Sequence, residues 1–436
     1  MMDEITPKVS RKDLAMTLAA ALLGWMFDGF EMGLFPLVGR PALRELMGPE
    51  GSAYIGTWFS IIMAGFLIGA ACGGILFGWL GDRYGRVRAM VLSVATYSTF
   101  SFLCVFVTAP WQLFALRFMA ALGMGGEWSL GVALVMETWS SEKRTLLAGL
   151  IGSAANVGFL LVALMGLALS KVINKLGAVI GVIMPRSWVD ALLSNGGWRM
   201  MLLLGALPAL VAFFIQIFVP ESKKWEHAKA TAPKNRIIDI FKGGLGKAAI
   251  LGAIISSVAL LGTWGSVQWI PSWADKLSNQ LPQAKSWAQI WSAIGAIIGC
   301  IAGSYLAHWT SRRMGYFILC LMSLISCQYL FRVSMPFGGQ YLLWVCLAGG
   351  LTASFFGWLP LYLPELFPTR IRATGQGFAF NFGRVIASAG TLWAGQLLNA
   401  FKEDYAKMCS IITLVYVIGI VVIWFCPETK GRPLPE

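Results

Sequence analysis

Charge is what this sequence has least of. Of its 436 residues only 13% are Asp, Glu, Lys or Arg, about half the share of a soluble globular domain. Histidine is nearly absent, at two residues, which makes a histidine proton relay an unpromising basis for function. The cysteines, eight in all, lie in or beside apolar stretches and form no CxxC pair. Neither a zinc site nor a disulfide framework is suggested, and no metal or cofactor is expected. No GxxxxGK[ST] phosphate loop occurs anywhere, which disfavours an ATP-driven pump.

What is present in excess is apolar surface. The chain is 57% hydrophobic and holds 49 Gly and 19 Trp, with a mean hydropathy of +0.69. Glycine-rich, tryptophan-rich apolar composition is that of a polytopic membrane protein. The net charge of +13 is therefore read through the positive-inside rule, and no nucleic-acid partner is expected. The apolar run after the polar start MMDEITPKVSRKD is too long for a signal peptide and lacks a small-residue cleavage site, so it reads as a retained first span.

Stretches long enough to cross a bilayer fall near 14–39, 53–80, 88–108, 111–139, 145–170, 197–219, 247–271, 286–307, 314–333, 340–363, 373–399 and 405–426. The long polar break between spans sits in the middle, which divides the chain into 1–219, a linker 220–246, and 247–436. The termini and the loops on their side hold 21 of the 34 Lys and Arg residues, and the opposite loops hold 11. Both termini are accordingly expected in the cytoplasm. Glu137 and Arg144 recur as Glu365 and Arg372, displaced by 228 residues, and GWLGDRYGRVR (78–88) recurs in worn form as SYLAHWTSRRM (304–314). Two such pairs at nearly one offset predict two duplicated six-helix bundles, all α, around a central site.

Three groups of charge then stand out. Asp28 and Glu31, in LGWMFDGFEMGLF (23–35), share one helix face roughly 12–17 Å below the outer end of span 1. Arg117 lies roughly 9 Å into span 4 and cannot shed its charge. A carboxylate beside it stays ionised, whereas one without it is a proton site, so Asp28, Glu31 and Arg117 are candidates for proton coupling. A static ion pair that only fixes helix packing is the alternative. Glu127, in GMGGEW, is either a second proton site or a hydrogen-bonding partner for a neighbouring helix. Arg384 sits near the midplane of span 11 with Asn381 one turn earlier, a natural site for a carboxylate anion. An empty site could instead pair Arg384 with Glu127 or Asp28. Asn156, Trp264, Gln268, Trp291 and Trp358 are candidates for cavity lining. The external segment 173–197 reads as a partly interfacial cap.

GWLGDRYGRVR resembles the signature loop of the major facilitator superfamily, G-x-x-x-D-R-x-G-R-[RK], with the second basic position displaced by Val87. PESKKW (220–225) and PETKG (427–431) look like the sequences that close the two halves of sugar porters. The GGEW of span 4 is similar to metabolite and sialate/lactate:proton symporters, and DGFE to the DGFD of aromatic-acid:proton symporters. TWGSVQWIPSW (263–273) lacks the His and Asp of fungal lactate relatives. The resemblance implies that Asp82, Arg83, Arg86, Glu137, Arg144, Glu365 and Arg372 latch the inner face of the bundles. It also places the proton-coupling Asp–Arg pair of sugar porters at Asp28 and Arg117. The function expected is inward symport of a small organic anion, monocarboxylate- or sialate-like, with protons. A sugar or polyol porter and an aromatic acid:proton symporter are the alternatives. A sensor on the same fold would normally add a long cytoplasmic extension. A monomer in a bacterial inner membrane is expected.

Overall fold

In a computed structural model of the chain, the described residues are 10–51, 54–182, 184–206, 215, 218–223, 225–227, 237–279, 281, 283–333 and 335–435, with the side chains of 141, 170–180 and 399 excepted. They form helices joined by short turns, with no strand among them. Helix α1 (Arg11–Met47) is 37 residues long, or about 55 Å, well beyond the ~30 Å hydrocarbon core. Ser10 caps it by accepting from the Asp13 N–H at 3.0 Å. Helices α2 (Ile55–Tyr84) and α3 (Arg86–Leu103) meet at Gly85, whose φ of 125° no other residue adopts easily. A Cβ there would also lie 2.2 Å from the Glu221 carboxylate, so glycine lets that carboxylate reach the first turn of α3.

Span 4 is two helices, α4 (Pro110–Met124) and α5 (Glu127–Thr138), broken at Gly125 and Gly126. A Cβ on Gly125 would sit 1.9 Å from the Ala70 carbonyl, so this glycine brings span 4 against α2. After α6 (Arg144–Ile180) and α7 (Arg186–Leu204) come α8 (Leu245–Gly265), α9 (Ile270–Leu277), α10 (Ala284–Trp309), α11 (Arg312–Arg332), α12 (Gly339–Ala353), α13 (Phe355–Tyr362), α14 (Arg372–Ala400), α15 (Tyr405–Ile412) and α16 (Val415–Val422). Span 10 is likewise broken, at Ser354 between α12 and α13, 228 residues after Gly126. The break repeats at the offset of the charged motifs.

Ten helices among the described residues are long and apolar enough to cross a membrane, against the twelve expected. The expected span 6 lies partly outside the described residues, at 207–214, 216 and 217. Span 11 is α14, long enough at 29 residues but made polar by Arg372, Gln376, Asn381 and Arg384. The two halves meet where α2 packs on α14 and α6 on α10. Within the expected cap, α7 is interrupted at Ser194–Gly197, where Asn195 and two glycines have left-handed backbone. Glu45 at the end of α1 ties this break down, accepting from Asn195 at 2.6 Å and Trp198 Nε1 at 2.9 Å and pairing with Arg199.

Candidate functional site

The face that carries the termini and the linker is sealed by charge. Asp82 and Arg86 pair one helical turn apart at 2.5 Å, and Arg86 also reaches Glu137 at 3.0 Å. Glu137 accepts from Arg372 of the second half at 3.2 Å. Asp82 takes the Thr374 backbone N–H at 2.7 Å and its hydroxyl, while Arg86 donates to the Thr369 carbonyl at 3.0 Å. All four charged side chains are buried and their charges sum to zero. The second half carries the matching site: Glu365 receives both ends of the Arg312 fork, at 3.0 and 2.8 Å, and lies in electrostatic range of Arg144.

The recurring glutamates do not meet the arginines seven residues on: Glu137 pairs with Arg372, and Glu365 lies near Arg144, because each of these arginines heads a helix that packs on the opposite bundle. One expectation about this face needs correcting. Arg83 is no part of the network; its guanidinium lies over the rings of Trp79 and Tyr84, at 5.1 and 5.4 Å.

PESKKW and PETKG acquire a physical role here. Glu221 accepts the backbone N–H groups of Arg86 and Val87, at 2.8 and 3.2 Å. Glu428 accepts those of Arg312 and Arg313, both at 3.1 Å. Each carboxylate therefore satisfies orphan donors at the start of α3 or α11. Burial holds the Glu221 carboxyl above the usual carboxylate range despite its donors. At Glu428 burial also works upward, but the N–H groups of Arg313, Lys430 and Arg312 outweigh it and hold that carboxyl below the usual range.

Between the halves lies a cavity lined by residues of both. Arg384 projects into it from α14, with Asn156 from α6, Trp264 and Gln268 from span 7, and Gln289 from α10. Its apolar wall is aromatic. Phe380, one turn before Arg384, stacks on Trp128 at 4.0 Å and meets Trp25 and Phe356 edge-on at 6.4 and 6.3 Å. The Arg384 guanidinium lies 5.3 Å from the Phe380 ring centre. The halves also touch at the cavity wall, where Gln289 donates to the Phe159 carbonyl at 3.4 Å, and outside it, where Arg40 hydrogen-bonds to Tyr405.

The carboxylates of span 1 divide their tasks differently from expectation. Glu31 takes Arg117 as its partner, and its Oε1 also accepts from Ser101 at 2.6 Å. Depth explains the choice, since Glu31 lies one turn nearer the outer end of α1, level with Arg117. Asp28 instead lies in electrostatic range of Arg384, Glu127 and Glu31, fully buried and with no hydrogen-bond partner on either oxygen among the described residues. Glu127 lies beside Ser93 of α3, whose hydroxyl donates to the Gly123 carbonyl at 2.5 Å. Asn381 does not line the cavity; it accepts from Arg384 at 2.6 Å and so orients the guanidinium. Trp358 is also off the cavity, because its Nε1 donates to the Arg312 carbonyl at 3.1 Å and its ring packs on Tyr316. Trp291 is absent from the lining as well.

Sequence reasoning missed Trp25, Gln289, Phe356 and Phe380. Phe380 and Trp25 carried a signal, being one turn from Arg384 and Asp28 on the same faces. Gln289 and Phe356 carried none, since only the packing of the halves brings them in.

A mid-membrane cavity between two helical halves, closed at one face by buried ion pairs, defines a carrier of small molecules and not an enzyme. The family model described as "Major Facilitator Superfamily" matches residues 20–391, and the chain belongs to that superfamily. It is 24% identical over 450 aligned residues to a niacin transporter of Acinetobacter baylyi, covering 94% of this chain and 93% of that one. It is 26% identical to a cis,cis-muconate transport protein of the same organism, covering 84% of each. A proton:xylose symporter structure shares the fold, with a TM-score of 0.74, 16% identity, and coverage of 97% of this chain and 98% of that one.

Proposed function

We propose that the protein carries a small planar carboxylate, aromatic or unsaturated, into the cell together with protons. The observation that carries this reading is Arg384, buried against aromatic rings at the cavity wall with Asp28 as its charge partner. A substrate carboxylate on the Arg384 fork would gain two charge-assisted hydrogen bonds, and its flat body would lie against Phe380, Trp25 and Phe356. Asp28 would then lose its counter-charge in a low-dielectric site, where a proton neutralises it. Anion and proton therefore enter together, and the sealed face opens afterwards by alternating access. The niacin and muconate carriers among the relatives support a substrate of this kind. The predicted setting is a bacterial inner membrane with both termini cytoplasmic.

A second reading, a sugar or polyol porter, is favoured by the neutral polar groups Asn156, Thr263, Gln268 and Gln289 in the cavity. It leaves Arg384 without a part in recognition. Proteoliposomes holding a trapped pH dye separate the two. We would add nicotinate, benzoate, cis,cis-muconate, lactate, sialate and xylose in turn, each against protein-free vesicles. Acidification with one or more of the flat acids, abolished in Asp28→Asn, is the expected result. A response to xylose alone would transfer the protein to the sugar reading.

A further inference from the structure

Behind α1, on the side away from the cavity, α3 presents a row of buried hydroxyls. Ser93, Tyr97 and Ser101 fall at i, i+4 and i+8, so they stack on one helix face over about 12 Å. The two ends of the row each meet an acid. Ser101 donates to Glu31 at 2.6 Å, while Ser93 donates to the Gly123 carbonyl at 2.5 Å, which leaves its oxygen to accept from Glu127 when that acid holds a proton. Tyr97, between them, is fully buried, and its hydroxyl has no hydrogen-bond partner among the described residues. It lies in electrostatic range of Asp28, Glu127 and Glu31. Each of those acids also keeps at least one buried oxygen unpartnered: both on Asp28, Oε2 on Glu31 and Oε1 on Glu127. Buried polar groups normally find partners, so this concentration of unmet donors and acceptors marks a site of exchange.

We propose that the Ser93–Tyr97–Ser101 face of α3 carries the coupled proton between Glu31 and Glu127, with Tyr97 as the bridging hydroxyl. The step begins once Glu31 has parted from Arg117 and taken up a proton: its carboxyl O–H then breaks as an O–H bond forms to Tyr97 Oη. The phenol's own hydrogen passes to Asp28 or Glu127, so the phenol ends as it began and one proton has moved. The charged and titratable groups around this row are Asp28 and Glu31 on α1, Arg117 on α4, Glu127 on α5 and Arg384 on α14, with Cys104 facing Arg117 and Glu31 at the outer end. The arrangement separates duties: Arg384 faces the substrate, the α3 row faces the proton, and Asp28 is in reach of both.

The inference rests on the symport reading, and the test keeps the two apart. Uptake of labelled nicotinate and cis,cis-muconate is measured in proteoliposomes with and without an inward proton gradient, for wild type and Tyr97→Phe. Binding of the same acids is followed by tryptophan quenching. The expected result is gradient-driven uptake in wild type, a loss of at least tenfold in Tyr97→Phe, and acid binding within twofold of wild type. Ser101→Ala, which removes the donor on Glu31, should slow gradient-driven uptake in the same way. Wild-type behaviour of Tyr97→Phe under the gradient would overturn the relay and leave symport standing. Loss of acid binding along with uptake would also overturn it, by making Tyr97 a structural residue. A wild type indifferent to the gradient would remove the symport reading and the relay together.

Discussion

At the residue scale, Arg384 and Arg117 show how one side-chain type serves two ends. Arg117 is locked to Glu31 and lies over the Phe66 ring at 4.8 Å. Removing one member of a buried pair strands the other, at a cost of about 3–5 kcal/mol. Glu31→Gln should therefore lower the melting temperature of the purified protein clearly more than Asp28→Asn, whose oxygens have no hydrogen bond to lose. Equal melting of the two would show that the Arg117 pair is not structural. Arg384 faces a cavity, so its loss should appear in recognition. Arg384→Gln forfeits a bidentate contact of about 3 kcal/mol, and binding of the transported acid should weaken roughly 100-fold. The double variant with Asp28→Asn, which leaves no stranded carboxylate, should bind as weakly while regaining stability.

At the element scale, the breaks and caps were the hardest features to foresee. A continuous apolar run such as 111–139 reads as one span, yet the glycines at 125 and 126 divide it where α2 approaches. Gly125→Ala would drive a methyl group into the Ala70 carbonyl and the Gly74 N–H, at 1.9 and 2.7 Å. It should cut the yield of monodisperse protein sharply, whereas Gly56→Ala, with open space around it, should not. The caps make a pH-dependent prediction. The Glu428 carboxyl lies below its ordinary range when folded, so it binds protons less readily folded than unfolded. Its contribution is complete above the unfolded value and disappears as pH falls through the folded one. The melting-temperature advantage of wild type over Glu428→Gln should thus be full at pH 7 and start to shrink once pH falls below the ordinary carboxylate value of about 4.3.

At the scale of the whole molecule, the buried ion pairs join the two halves at one face. Glu137 holds Arg86 of its own half and Arg372 of the other, so Glu137→Gln weakens both contacts at once. Breaking a contact made only in one state shifts the population toward the other. Spin labels at Arg88→Cys and Trp309→Cys, both exposed on the terminal face, should report longer separations in Glu137→Gln than in the parent. Unchanged distances would mean that the network sets topology and not conformation. The same change should lower stability, since Arg372 loses its carboxylate partner while Arg86 keeps Asp82.

The sequence by itself determined the membrane class, the helical architecture, the repeat at 228 residues and the identity of the chemically expensive residues. Those follow from composition, periodicity and the cost of charge in hydrocarbon, all of which are local. It also located Arg384 and the acids of span 1, because an ionisable group in an apolar run is conspicuous wherever it points. Pairing was decided only in three dimensions. Arg117 chose Glu31 over Asp28 by depth, and Arg372 chose Glu137 of the opposite half over Glu365 of its own, because partners depend on which helices pack and at what level. Trp358 and Phe380 make the same point: both are aromatic residues in apolar helices, and only the tertiary structure turns one toward α11 and the other into the cavity.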